Sequence, residues 1–157
     1  MYYDQQEFDI RCEWGEQGVA ALAPISDVVV IVDVLSFSTC VDIATGRGAL
    51  VYPYHGRDER AAAFAAENGA ELVSPRRSLT ALSLSPTSLA QLAPRARLVL
   101  PSLNGSSLTT AAAASCGSGA NTVLPAVLTG CLRNARAVAR AALQHGGKIA
   151  VIPAGER

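Results

Sequence analysis

Short apolar runs alternate with alanine-rich segments of helical pattern along most of the chain, and this alternation is what most limits the folds open to it. Apolar runs separated by helical segments are typical of parallel strands buried on both faces, so the pattern predicts an α/β fold with a largely parallel sheet. The apolar runs lie near residues 27–34, 48–54, 70–73, 96–101, 121–127 and 147–152. Helices are predicted at 38–47, 57–68, 106–116 and 130–144, with a short helix near 86–92.

The N-terminal stretch has a different pattern, in which Phe8, Ile10, Cys12 and Trp14 alternate with polar residues. A period of two is typical of a strand that is covered on one face only. We therefore predict a first strand that lies at an edge of the sheet or pairs antiparallel, with Trp14 packed in the core. An antiparallel first strand would make the sheet mixed.

Size and charge narrow the class of protein. The 157 residues suit one domain spanning 1–157, and the 13 basic and 13 acidic residues cancel. The basic residues form no run, which argues against nucleic-acid binding, and no apolar stretch is long enough to span a membrane. The N-terminus lacks the features of a secretion signal, and the four cysteines have neither zinc-site nor disulfide-framework spacing. We expect a cytoplasmic protein with free thiols.

Polar loops follow the predicted strands, at the edge where ligands of open α/β sheets bind. One strand ends at Asp33 and leads into the hydroxyl-rich residues 36–39, and a later strand leads into residues 104–107, Asn-Gly-Ser-Ser. Gly105 permits a close backbone approach, and the groups around it suit an oxyanion such as phosphate. These two loops predict an anion site that includes an acid.

Several of these features have plainer alternatives. Ser38, Thr39 and Ser106 are also typical helix N-caps. Cys40 lacks the spacing to Arg47 of a phosphocysteine loop, so we predict a packed thiol. Leu35 stands where a phosphoaspartate enzyme would have a second acid, and the chain contains neither a P-loop nor a complete dinucleotide-binding glycine motif.

Four separated blocks of the chain together resemble the 2-phosphosulfolactate phosphatases in order and spacing. The blocks are VIVDVLSFST at 30–39, SLSPTSL at 83–89, LVLPSLNGSSL at 98–108 and VIPAGER at 151–157. The resemblance implies a three-layer α/β/α fold with a largely parallel or mixed sheet. It implies magnesium-dependent hydrolysis of 2-phospho-3-sulfolactate, or a similar small phosphorylated acid, to sulfolactate and phosphate, a step on the route to coenzyme M.

The resemblance also assigns residues to the site. It implies that Asp33, Ser38 and Glu156 serve in catalysis and that Asp33 and Glu156 bind Mg²⁺, with either a water or a side chain as the nucleophile. His55 is a further candidate acid or base, or simply a polar loop residue. The expected substrate-binding residues follow the strand ends: Ser36, Thr39, Arg76, Asn104, Gly105, Ser106 and Arg157.

The chain departs from the family pattern in two places. Many members have Arg where this chain has Ser36, so we expect Arg76, Arg77 or Arg157 to supply that cation. The sequence ends at VIPAGER, where members continue with a further acidic, glycine-rich segment, so we expect this segment to be lacking. An uncovered last strand around Val151 then predicts self-association, most simply as a homodimer, or reduced stability.

Two other functions stay open on the sequence alone. The chain could be a catalytically impaired homologue or fragment that retains the anion-binding loops without turnover. It could instead be an interaction protein with no small-molecule site, in which case neither Mg²⁺ nor phosphate would change its melting temperature.

Overall fold

Among the residues that the structure describes, seven strands form two sheets in which every strand pair is parallel. The computed structural model describes residues 5–56, 58–74, 81–115 and 124–155. The strands are β1 (Ile10–Cys12), β2 (Val28–Val32), β3 (Leu50–Tyr54), β4 (Glu71–Leu72), β5 (Arg97–Pro101), β6 (Ala126–Gly130) and β7 (Ile149–Pro153). The first sheet has the order β1-β7-β2-β6 and the second the order β3-β5-β4. The predicted parallel arrangement is confirmed, but its division into two sheets was not predicted.

In the described residues a helix lies between each strand and the next, as the alternation of the sequence predicts. They are α1 (Gly15–Leu22), α2 (Phe37–Gly46), α3 (Arg60–Glu67), α4 (Pro86–Leu89), α5 (Gly105–Ala114) and α6 (Ala135–His145). Helix α1 was not predicted. Helix α6 begins later than expected because the Asn134 side chain accepts the Cys131 N–H (2.8 Å), which forms a turn after β6. In the part of the chain that the structure describes, no helix is both long and apolar enough to cross a membrane.

The first sheet is covered by helices on both faces. On one face α1 and α5 pack against the sheet through Val19, Leu22 and Leu108, which meet Val29 and Ile31 of β2. On the other face α6 packs through Ala142 against the opposite side of β2. The fold is therefore a three-layer α/β/α arrangement, as the resemblance implies.

The second sheet has its own core, in which α2 and α4 pack against β5. Phe37 and Cys40 of α2 are fully buried there against Leu98 and Leu100. Cys40 is thus a packed thiol, as predicted. Because α2 leaves the first sheet at Asp33 and packs on the second, the loop after β2 lies where the two sheets meet.

The first strand differs from its prediction in orientation. It lies at a sheet edge, but it pairs parallel with β7, so the antiparallel alternative is wrong. Its apolar side chains face outwards: Ile10 is 65% exposed, whereas Arg11 is only 4% exposed. Arg11 is tolerated inside because its guanidinium donates to the carbonyls of Phe8 (2.9 Å) and Ile25 (3.1 Å). Trp14 is 43% exposed, so the prediction that it packs in the core is wrong.

An apolar groove of about 420 Å³ runs beside α6 on the outer face of the first sheet. Ile10 of β1 forms one wall and Leu143 of α6 forms the other, with Val151 of β7 at the floor. Val34 also lines the groove, so one end of it lies next to Asp33. We call this feature the α6 groove.

Candidate active site

The loops after β2, β3 and β5 are joined by hydrogen bonds at one edge of the molecule. The Gly105 N–H donates to Asp33 Oδ2 (3.1 Å), which links the loops after β5 and β2. His55 Nδ1 lies 2.7 Å from Ser107 Oγ, which links the loop after β3 to the first turn of α5. Strand ends from both sheets therefore meet at one place, as the polar loops of the sequence predict.

Asp33 is at the centre of this edge and is only 6% exposed. Its Oδ1 accepts the Phe37 N–H (3.3 Å), and its Oδ2 accepts the Gly105 N–H (3.1 Å). Phe37 and Gly105 are the first residues of α2 and α5, so one carboxylate bridges the amino-terminal ends of two helices. Helix amino-terminal ends attract anions. The protein's own carboxylate thus accepts one amide from each of the two loops in which an anion site was predicted.

The environment of Asp33 alters its proton affinity. Burial raises the pKa of this carboxyl above its ordinary value and outweighs the hydrogen bonds from the Phe37 and Gly105 amides, which lower it. Burial disfavours a carboxylate because it loses hydration, whereas N–H donors favour it. A carboxyl group whose pKa is perturbed in this way at the end of a strand is typical of a functional site.

The hydroxyl groups that follow Asp33 hold the loop in shape. Ser38 Oγ donates to the Ile31 carbonyl (3.2 Å) and accepts the Asp33 N–H (3.1 Å), and Ser38 is fully buried. Thr39 Oγ1 donates to the Val34 carbonyl (2.7 Å), and Ser36 Oγ donates to the Leu84 carbonyl (3.0 Å). Ser36 is the residue at the N-cap of α2 and makes no side-chain capping bond. The interpretation of Ser38 and Thr39 as N-caps is therefore wrong.

The loop before α5 is also held by internal contacts. Ser106 is fully buried and its Oγ donates to the Leu100 carbonyl (2.6 Å), so it too is not an N-cap. Asn104 occupies the N-cap position without a side-chain capping bond, and it is exposed.

Gly105 is required for close packing against a side chain. A Cβ at Gly105 would overlap Phe37 Cδ1 and would lie 2.6 Å from Phe37 Cβ. Gly105 is not among the described residues with left-handed backbone. The sequence predicted that Gly105 permits a close approach of its backbone to an anion; in the structure the group that lies against Gly105 is Phe37.

Several predicted site residues lie outside the described residues, namely Arg76, Arg77, Glu156 and Arg157. The segment that leads to Glu156 is nevertheless anchored at the same edge, because the Ala154 N–H donates to the Val32 carbonyl (2.8 Å), one residue before Asp33. Within the ranges that the structure describes, no three His, Cys, Asp or Glu side chains cluster as a metal site.

The structure adds two pairs of side chains that sequence reasoning gave little weight. Ser107 is buried and contacts His55, and Arg133, in the loop after β6, forms a salt bridge with Asp42 (2.9 Å). Both Ser107 and Arg133 come soon after a strand end, which is the signal that could have identified them. Their partners could not be predicted, since they are 52 and 91 residues away in the chain.

Cys40 lies close to this edge but is unsuited to nucleophilic attack. Burial raises the pKa of its thiol to about 11, with a lowering contribution from the Ser36 hydroxyl and a further increase from the negative charge of Asp33. The thiolate is the reactive form of cysteine, and it is scarce at neutral pH when the pKa is this high.

Comparison with known proteins gives one family. A family model described as 2-phosphosulpholactate phosphatase matches residues 18–157, which include every described residue of the candidate site. No curated protein matches the chain.

Proposed function

The chain belongs to the 2-phosphosulpholactate phosphatase family, and from this premise we propose that it hydrolyses 2-phospho-3-sulfolactate, or a similar small phosphorylated acid, to sulfolactate and phosphate with the help of Mg²⁺. The observation that supports this most is the position of Asp33. Its buried carboxylate joins the loops after β2 and β5 at the edge where α/β proteins bind ligands. This arrangement suits phosphoryl transfer, in which positioning and charge neutralisation do most of the work.

The donor groups at this edge are chemically suited to Mg²⁺. This ion prefers oxygen ligands and is usually held by one or two carboxylates together with waters and substrate phosphate. Each oxygen of Asp33 accepts one described N–H, which leaves a lone pair available on each. Glu156 is the proposed second ligand, two residues after Ala154. A bound Mg²⁺ would neutralise charge on the phosphoryl group.

A nearby cation would also relieve the unfavourable burial of the Asp33 charge. Burial raises the pKa of Asp33, and opposite charge within a few ångströms favours the ionised form of a carboxyl. Binding of Mg²⁺ should therefore release protons in the pH range in which Asp33 is partly protonated.

The substrate class follows from the charges that the site must meet. A phosphosulfolactate carries phosphate, sulfonate and carboxylate groups, so we propose that Arg76 and Arg157 contact them. Asn104, exposed at the start of α5, is the described side chain best placed to donate a hydrogen bond to such a group. The hydroxyls of Ser36, Ser38, Thr39 and Ser106 support this site by fixing the loops.

A second candidate function is anion binding without turnover. It is favoured by the carboxylate of Asp33, which already accepts the first amides of α2 and α5, and by Ser36, which replaces the arginine of many members. The two functions are separated by measuring phosphate release and thermal stability together. A phosphatase should release phosphate from 2-phospho-3-sulfolactate with Mg²⁺ and stop when the metal is chelated. A binding protein should show only a ligand-dependent rise in melting temperature.

We also propose that the protein forms a homodimer through the α6 groove. The wall formed by α6 carries exposed Arg136 and Arg140, and the wall formed by β1 is flanked by exposed Glu7 and Asp9. A two-fold axis along the groove would place the basic wall of each copy against the acidic wall of the other. This self-complementarity, together with burial of the apolar floor, favours a second copy of the chain as the occupant.

A further inference from the structure

The contact between His55 and Ser107 joins an exposed side chain to a buried one. His55 Nδ1 lies 2.7 Å from Ser107 Oγ, and Ser107 Oγ lies 3.2 Å from the Ser102 carbonyl oxygen. Ser107 and Ser102 are both buried, whereas the His55 side chain is exposed. The three groups therefore form a short chain of hydrogen bonds from the interior to the edge of the site.

The number of hydrogens that these three groups can donate determines which tautomer of the His55 imidazole is present. A serine hydroxyl has one hydrogen to donate, and a carbonyl oxygen can only accept. Ser107 can make both contacts only if it donates to Ser102 and accepts from His55, which requires a proton on His55 Nδ1. In the neutral imidazole the other nitrogen, Nε2, then carries a lone pair.

The position of the pair connects it to Asp33. Ser107 is in the first turn of α5, two residues after Gly105, whose amide donates to the Asp33 carboxylate. Because Nδ1 faces the buried Ser107, ring geometry directs Nε2 away from the protein interior. Among the described charged residues that follow His55, Asp58 and Arg60 form an ion pair (3.3 Å), and Asp58 also accepts the Tyr54 hydroxyl (2.9 Å).

We propose that His55 is a general base of this site, held in its Nδ1–H form by Ser107 and Ser102. This inference rests on the proposed phosphatase function. Nε2 takes a proton from a water as the water oxygen bonds to phosphorus and the ester P–O bond breaks. The leaving alkoxide takes a proton from solvent, and the imidazolium then loses its proton to solvent. Ser107 is a positioning residue in this step.

The first test reads the imidazole directly and does not depend on turnover. Long-range ¹H–¹⁵N correlation spectra of the neutral protein should show His55 protonated on Nδ1. Ser107→Ala should shift His55 towards the Nε2–H form, and Ser107→Thr, which retains the hydroxyl, should preserve the wild-type spectrum. A wild-type His55 protonated on Nε2 would overturn the proposal.

The second test measures phosphate release from 2-phospho-3-sulfolactate in the presence of Mg²⁺. His55→Asn can still donate to Ser107 but has no basic nitrogen, so kcat should fall about 10²- to 10⁴-fold while KM changes only a few-fold. His145→Gln is the matched control, because His145 ends α6 at the opposite edge of the sheet, and it should retain wild-type kcat. Wild-type kcat in His55→Asn would refute the role as a base.

The two tests also separate this inference from the proposed function. A wild-type protein that releases no phosphate refutes the phosphatase function and, with it, the catalytic role of His55. A wild-type phosphatase that is unaffected by His55→Asn leaves the function standing and refutes only the inference.

Discussion

At the scale of single residues, two features of the Asp33 environment have opposite effects on the ionisation of its carboxyl group. Its carboxylate organises the first turns of α2 and α5, which favours the ionised form, while burial disfavours it. The sequence predicted an acid at the end of β2. It could not predict the partner Gly105, because the two residues are 72 positions apart and come together only when the two sheets pack.

The raised pKa of Asp33 predicts a pH-dependent contribution to stability. Because the folded-state pKa exceeds the ordinary value of 3.8, the contribution is fully present below 3.8 and is lost as the pH rises through the folded-state pKa. Without metal, the free energy of unfolding of the wild type should therefore decline relative to that of Asp33→Asn across this window. Urea denaturation of both proteins between pH 3.5 and 7, with a chelator present, measures the difference.

The difference in free energy of unfolding between the wild type and Asp33→Asn also has a component that does not depend on pH. Asn offers one acceptor oxygen where Asp offers two, so either the Phe37 or the Gly105 amide loses its partner, at a cost of about 1–3 kcal/mol. A difference between the two proteins that stays constant over the whole pH range would contradict the account of Asp33 burial.

At the scale of secondary-structure elements, the crossing of α2 and α5 depends on one close contact. Phe37 and Gly105 are the first residues of these helices, and Phe37 is fully buried against the Gly105 backbone. The side chain needs a neighbour without a Cβ. The two amides that bind Asp33 come from these same two residues, so this packing also sets the position of the carboxylate.

Gly105→Ala should therefore destabilise the protein by about 1–3 kcal/mol through overpacking. It should also weaken phosphate release, because the Gly105 amide moves relative to Asp33. Phe37→Leu in the Gly105→Ala background should recover part of the loss, and a double-mutant cycle by thermal denaturation measures the coupling. Strict additivity of the two substitutions would show that Phe37 is not the group that excludes a Cβ.

The N-terminal elements show where sequence patterns fail at this scale. The period of two correctly located β1, but the apolar side chains Phe8 and Ile10 face outwards and Arg11 faces inwards. Arg11 can face inwards because its guanidinium donates to two carbonyl oxygens. One of these belongs to Ile25, which is 14 residues away, so a local sequence pattern does not show it. Helix α1 was missed because it is short and contains two glycines, which are poor helix formers.

At the scale of the whole molecule, the alternation of apolar and helical segments predicted the α/β class and the parallel strands, whereas the three layers were implied by the family resemblance. The alternation was not sufficient to predict two sheets, because strand order depends on long-range packing that a local pattern does not encode. The site loops could be predicted because parallel strands place their carboxyl ends at one edge of a sheet. The contacts within the site, such as His55 with Ser107, required the folded chain.

The proposed dimer is a prediction at this scale. Leu143 is 70% exposed at the wall of the α6 groove, so Leu143→Lys should introduce a charge into the interface and shift the protein to monomer. Leu50→Lys is the matched control, because Leu50 is also exposed but does not line the groove. Sedimentation over a concentration series should give dimers for the wild type and the control. Monomers at all concentrations for the wild type would contradict the proposal.

The central claim is that Asp33 organises a magnesium-dependent phosphatase centre. Its most direct test is phosphate release from 2-phospho-3-sulfolactate, with and without Mg²⁺, by the wild type, Asp33→Asn and Asp42→Asn at a temperature where circular dichroism shows all three folded. Asp42 is the control because it lies on α2 and, among the described residues, its carboxylate pairs with Arg133 alone. The account predicts Mg²⁺-dependent release by the wild type and Asp42→Asn, and a loss of at least about 10²-fold in Asp33→Asn. Equal release by folded Asp33→Asn and wild type, or release that does not respond to Mg²⁺, would contradict it.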